Sequence, residues 1–149
     1  MTLVEKERQV PYTCEQMYTL VNQVESYSEF LPYCSESVVH FRDDQEVQAT
    51  LVISVGGMNK SFTTRNLLQH NKMIELRLIE GPFKHLEGFW RFDKAAVGSA
   101  CDISFGLEFE FSGLLLPKLL GPVFEKIADS MVDAFCDRAE QCYGPVVHA

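Results

Sequence analysis

The alternation of apolar and polar residues between positions 46 and 111 constrains this chain more than any other feature. Val47, Ala49, Leu51, Ile53 and Val55 alternate with Glu46, Gln48, Thr50 and Ser54. Ile74, Leu76 and Leu78 alternate with Glu75 and Arg77, and Leu86, Trp90 and Phe92 with Glu87, Arg91 and Asp93. Ile103, Phe105, Leu107, Phe109 and Phe111 alternate with Asp102, Ser104, Glu108 and Glu110. A period of two gives each segment one packed face and one wet face, the pattern of antiparallel strands. Asp43-Asp44, Gly56-Gly57, Asn71-Lys72, Gly81-Pro82 and Gly98-Ser99 punctuate the segments as turns.

The flanks read differently. Leu3 to Val10 is a short edge strand, ended by Pro11-Tyr12. Thr13-Cys14-Glu15-Gln16 has the spacing of a capping box, and Met17, Leu20, Val21 and Val24 follow at helical intervals. A second short helical piece, Tyr27 to Leu31, stops before Pro32, which disfavours helix at the residue preceding it. The final element is one long helix from Leu115 to Tyr143, with a break or kink expected at Pro122. At about 100° per residue, Val123, Phe124, Ile127, Ala128, Met131, Val132, Ala134, Phe135, Ala139 and Cys142 fall on one half, and Glu125, Asp129, Asp133, Asp137 and Glu140 on the other. The order predicts an α+β fold: a curved antiparallel sheet of about six to seven strands, two short helices after the first strand, and one long helix over the apolar face.

The 149 residues suit a single domain, 1–149. The net charge is -8, with 13 Lys and Arg against 21 Asp and Glu. That balance opposes DNA as a partner, because phosphate binding releases counterions only to a basic surface, and opposes simple docking on anionic lipid. Lys60, Arg65, Lys72 and Arg77 are the one modest basic region. Charges at Glu5 to Arg8 occupy the place of a signal peptide's apolar core, and no run reaches the roughly 18 apolar residues of a membrane span. Five cysteines, Cys14, Cys34, Cys101, Cys136 and Cys142, form no C-x-x-C, so no zinc site or disulfide framework is indicated and reduced thiols in a cytoplasm are expected.

One helix cannot fill a concave sheet wall to wall. Phe62, Trp90, Phe92, Phe105, Phe109 and Phe111 are candidates for its inner face. They either enclose an apolar pocket for a hydrophobic small molecule or pack the core completely; periodicity does not separate the two. Arg138 falls within the apolar half of the last helix. It serves either a polar ligand headgroup or an ion pair with a sheet carboxylate, or it reaches water at the helix end. Leu114 to Val123 is a gate, a membrane-touching edge or a buried start to the helix. The histidines, His40, His70, His85 and His148, stand near no nucleophile and orienting partner in sequence, so catalysis is not expected.

Several segments carry a family resemblance. They are Val10-Pro-Tyr-Thr-Cys-Glu-Gln-Met-Tyr18, Leu20-Val21-Asn22, Tyr27-Ser-Glu-Phe-Leu-Pro32 with Cys34, Phe62-Thr-Thr-Arg-Asn66, and Gly81-Pro-Phe-Lys84 with Leu86, Gly88 and Trp90-Arg91-Phe92. Phe109-Glu-Phe111 and Phe124, Ala128, Met131-Val132, Ala134-Phe135 and Arg138-Ala139 continue them. Over nearly its whole length the chain resembles the coenzyme-Q-binding and RatA-type branch of the START-like (polyketide cyclase/lipid transport) superfamily. The resemblance implies a helix-grip fold, in which the sheet wraps the C-terminal helix around a deep hydrophobic cavity. It implies non-catalytic binding of ubiquinone or a similar isoprenoid lipid, with no covalent cofactor, in support of respiration; the alternative is a toxin that binds the large ribosomal subunit and blocks subunit joining. The cavity residues expected on this basis are Tyr18, Phe62, Phe83, Trp90, Phe92, Phe105, Phe109, Phe124, Met131, Phe135 and Arg138, with Arg138 or Tyr18 meeting the headgroup. A cytoplasmic location, with transient contact to the inner membrane, goes with this reading.

Overall fold

Each alternating segment forms a strand, and the turns fall where glycine, asparagine and aspartate interrupt the period. In the computed structural model, which describes residues 1–96 and 98–144, the strands are β1 (Thr2–Val10), β2 (Cys34–Arg42), β3 (Glu46–Val55), β4 (Met58–Gln69), β5 (Met73–Glu80), β6 (Phe83–Lys94) and β7 (Cys101–Phe111). They make one antiparallel sheet in the order β1-β7-β6-β5-β4-β3-β2. From β2 to β7 every neighbour in space is a neighbour in sequence. β1 alone crosses over to pair with β7, with Val4 opposite Leu107 and Val10 opposite Cys101.

The crossover is carried by α1 (Cys14–Asn22) and a 3-10 turn (Val24–Glu29). The capping box is present: the Gln16 amide donates to Thr13 Oγ1 at 3.1 Å, and the Thr13 amide donates to Gln16 Oε1 at 2.9 Å. The second helical piece starts earlier than the sequence suggests, at Val24 rather than Tyr27, and is 3-10 rather than α. Gln23 leaves helical geometry, at φ −83° and ψ 65°, and the chain tightens at once into the next turn. Tyr33, at φ 62°, then turns it into β2.

The expected single long helix is two helices, α2 (Leu116–Asp129) and α3 (Met131–Tyr143). Pro122 does not break α2; it sits on an exposed side of the helix, which continues through it with one backbone donor fewer. The break is at Ser130. Its hydroxyl donates to the Ile127 carbonyl at 3.1 Å, its backbone sits at φ −95° and ψ 0°, and the next amides start a new helix. A serine that hydrogen-bonds its own preceding turn bends a helix in this way.

Phe124, Ile127, Ala128, Val132, Phe135 and Ala139 are buried against the sheet, as the helical projection predicts. The projection fails at Cys142, which is exposed; Cys136, which it places on neither half, is buried. In the last turn Tyr143 rather than Cys142 meets the protein, its ring 6.0 Å from Tyr12 and its hydroxyl donating to the Gln16 carbonyl. At the centre of the core, Trp90 lies 4.6 Å from Phe105 and 5.1 Å from Phe135, centroid to centroid. These are among the largest fully buried side chains of the core. Among the described residues no helix is long and apolar enough to cross a membrane.

Candidate ligand cavity

The inward residues of β4 to β7 are large and flat-sided, and α2 meets them through one ring. Phe124 stands 4.7 Å from Phe109, 5.2 Å from Phe83, 5.6 Å from Phe111 and 5.9 Å from Phe62. This clamp holds α2 over the sheet at one end. At the other, Phe135 of α3 packs edge-on to Tyr27 and Phe30 at 5.2 and 5.0 Å. Between the two clamps the helices stand away from the sheet and leave a narrow cavity of about 80 Å³. A cavity of about 150 Å³ is known to hold one benzene, so this one is a closed form that must widen for anything larger.

The cavity floor is Leu51, Ile53, Leu76, Leu86, Trp90 and Phe105, and its roof is Phe124, Ile127, Ala128 and Met131. The 3-10 turn and the loop after it close one side with Val24, Tyr27, Leu31 and Pro32. Of the residues expected there, Phe62, Trp90, Phe105, Phe124 and Met131 line the cavity. Phe83 and Phe109 stand behind Phe124 as its backing. Phe135 lies beyond Trp90. Phe92 and Tyr18 are buried together 5.7 Å apart, with Tyr18 also against His70 at 5.4 Å. Tyr18 therefore does not reach the cavity as a headgroup contact.

Arg138 is also elsewhere. It donates to Glu29 at 3.1 Å and lies 5.0 Å over the ring of Phe30, in a shallow surface depression with Asp133 and Asp137. Its partner is an acid of the 3-10 turn, not of the sheet. The ion pair and ring contact account for a guanidinium on an apolar helix face without a ligand. The segment at the start of α2 is an exposed edge: Leu114 is 90% exposed, Leu115 68% and Leu119 50%, and only Leu120 turns fully inward.

Two polar residues that the sequence reading passed over do line the cavity, Thr64 and Asn66. Asn66 is the one fully buried polar residue among the described residues, 4% exposed. The signal for both was present in the strand parity: positions 62, 64 and 66 share the inward face on which Phe62 stands. The cavity's titratable groups are Tyr27 and Cys34. Burial pushes the Tyr27 phenol far up, and its hydroxyl donates to the Val21 carbonyl. Burial pushes the Cys34 thiol up to about 11. Both groups stay protonated at neutral pH, so neither has the near-neutral pKa that general acid-base chemistry favours. His40 bonds Thr50 on the outer face at 2.7 Å and His85 faces Glu108 at 3.5 Å; His148 lies outside the described residues.

The basic region is largely neutralised. Arg65 donates to Glu46 at 2.6 Å, and Arg77 bridges Glu75 and Glu87, each at 3.0 Å.

Comparison with known proteins places this geometry. The family model described as polyketide cyclase / dehydrase and lipid transport matches residues 10–136. A ribosome association toxin RatA of Pseudomonas aeruginosa is 42% identical over 143 residues, covering 96% of this chain and 99% of that protein. A mitochondrial coenzyme Q-binding protein of Drosophila melanogaster is 28% identical, covering 94% of this chain and 59% of that protein. Among solved structures, the Zhui aromatase/cyclase of a Streptomyces species superposes with a TM-score of 0.81 at 17% identity, over 95% of each chain. That likeness speaks for the helix-grip fold alone. The chain belongs to the polyketide cyclase / dehydrase and lipid transport family, in the branch that holds the RatA and coenzyme Q-binding proteins.

Proposed function

We propose that this protein associates with the large ribosomal subunit and hinders subunit joining, and that its cavity is a non-catalytic site for a hydrophobic ligand. The observation that carries the ribosomal reading is the 42% identity, across essentially both whole chains, to a protein named for ribosome association. It reverses the order of the two readings that the resemblance alone suggested. The non-catalytic reading rests on a lining with no histidine or carboxylate among the described residues and on two titratable groups held protonated. Expression in a bacterial host followed by sucrose-gradient centrifugation tests the ribosomal reading. Joined ribosomes should fall and separate subunits accumulate; an unchanged profile at high expression refutes it.

A quinone or other isoprenoid lipid in the cavity remains a second proposal. It is favoured by the apolar lining and by the coenzyme Q-binding relative. The exposed edge of Leu114, Leu115 and Leu119 beside the roof would let such a ligand pass from a membrane. Solvent extraction of the purified protein and mass spectrometry should then release a prenyl quinone. A protein that is empty and takes up none on incubation removes this reading.

A further inference from the structure

We propose that Asn66, oriented by Thr64, is the polar contact that selects the cavity's ligand, and that this ligand is an uncharged hydrophobic molecule presenting one hydrogen-bond acceptor, such as a ketone, ester or quinone carbonyl. The inference rests on the reading that the cavity receives a ligand and adds what kind. Asn66 sits on β4 between Val47 of β3 and Leu76 of β5, in the middle of the sheet, where its backbone is fixed by both neighbours. Its side chain is 4% exposed and turned into the apolar cavity. Thr64 Oγ1 donates to Asn66 Oδ1 at 2.9 Å, which is the only hydrogen bond of this side chain among the described residues.

That bond uses the amide's acceptor and leaves its NH2 group, two donors, facing the cavity. The buried side-chain atoms without a partner among the described residues are Asn22 Oδ1, Asn71 Oδ1 and His85 Nε2, so the Asn66 amide nitrogen is not sealed in protein but borders the cavity space, where an entering acceptor can meet it. A leucine of similar volume would suit this apolar wall better, so an amide facing the cavity is explained by something that enters and accepts from it. The lining also limits the ligand's charge. Among the described residues no Lys, Arg, His, Asp or Glu borders the cavity, so an ionised headgroup would enter unpaired. A pure hydrocarbon would leave the amide donors unmet. The neutral acceptor-bearing class is what remains.

The test compares two probes of matched shape, acetophenone and ethylbenzene, on the full chain and on Asn66→Leu. Trp90 is the single tryptophan and lines the cavity, so its indole N–H resonance in 15N NMR reports occupancy. The quantity read is the ratio of the two dissociation constants, in which the difference in transfer from water cancels between the two proteins. Wild type should favour acetophenone roughly tenfold more than Asn66→Leu does, the worth of one good hydrogen bond in a dry site. In the wild type alone, the carbonyl stretch of bound acetophenone should move to lower frequency than in alkane solvent, a reading that survives if the variant does not fold. An unchanged ratio, or a carbonyl stretch like that in alkane, overturns the role of Asn66 while leaving a ligand cavity in place. If neither probe moves the Trp90 resonance at millimolar concentration, the cavity reading itself falls, and this inference with it.

Discussion

Phe124→Ala should cost about 3.5 kcal/mol of folding stability, and the figure can be built from the ring's surroundings. Removing a buried phenylalanine costs about 3–5 kcal/mol. Two features of this site pull in opposite directions. The ring contacts four others at 4.7 to 5.9 Å, and aromatic pairs are worth about 0.5–1.5 kcal/mol beyond their buried area. One side of the ring already faces the cavity, where there is no packing to lose. The two largely offset, which leaves the lower middle of the range. Urea denaturation followed by Trp90 fluorescence is the assay. With a slope of about 2 kcal/mol/M the midpoint should fall by roughly 1.7 M. Leu119→Ala, on the same helix but 50% exposed, should stay within about 0.5 kcal/mol. A loss at Phe124 below about 1 kcal/mol with unchanged slope would refute the reasoning, because α2 would then be held by something other than this clamp.

Two further perturbations probe the sheet and its surface. A Cβ built at Gly88 would stand 2.6 Å from the Gly106 carbonyl oxygen, whereas one built at Gly106 would meet only the ring edge of Phe89 at 2.5 Å. Backbone cannot yield as a ring can, so Gly88→Ala should lose about 1–3 kcal/mol and more than Gly106→Ala does, measured as the fall in Tm. For Glu25, burial opposes the carboxylate, but hydrogen bonds from Arg42 and the backbone outweigh it and hold the pKa below the ordinary 4.5. A depressed folded pKa contributes stability that is present above the unfolded value and lost as pH falls through the folded one. Arg42→Gln should therefore be less stable than wild type at pH 7, with the gap closing below about pH 4.5; a gap that is constant from pH 7 to pH 3 would remove Glu25 as its source.

How far the sequence reached follows from which interactions are local. Strand parity is a property of neighbouring residues, so the sheet, its turns and most of the inward face were legible, and parity extended to 64 and 66 would have found Thr64 and Asn66. The helix break was not, because it reverses the usual ranking. Pro122, the stronger breaker, lies on an exposed side where one missing donor costs little, while Ser130 bends the chain with its own hydroxyl. For Arg138 an ion pair is among the expectations, but its partner was not legible, for a different reason. A helical projection places a residue on a face but does not say what lies opposite, and here that is Glu29 and Phe30, more than 100 positions earlier in the chain. A separation of 87 residues likewise hides Cys14 and Cys101, whose sulfurs stand 2.7 Å apart across α1 and β7. Which rings line the cavity and which merely back it depends on where Phe124 seats α2, and that too is a tertiary fact.

The placement of charge says what kind of ribosomal contact this surface suits. The acidic stripe of α2 and α3 is partly spent inside the molecule: Asp129 pairs with Lys6 at 2.7 Å and Asp133 with Arg8 at 2.8 Å, fastening the helices to β1. The basic region is likewise occupied, since Arg65 and Arg77 hold Glu46, Glu75 and Glu87. Of its four cations only Lys60 and Lys72 lack an ion pair among the described residues; Lys60 lies within β4, and Lys72, in the turn after it, shares a surface depression with Arg91 and Lys94, which make no ion pair either. A complex built on six to ten phosphate contacts weakens by about 10³–10⁵ between 50 and 200 mM salt, whereas the four contacts open to Lys60, Lys72, Arg91 and Lys94 predict about a hundredfold. Co-sedimentation with purified large subunits at those two salt concentrations should therefore show affinity falling by about a hundredfold at most, as for a contact made largely to ribosomal protein. A fall beyond about a thousandfold would mean that the arginines leave their carboxylates for RNA phosphates on docking, and the electrostatic argument would fail even if the ribosomal reading held.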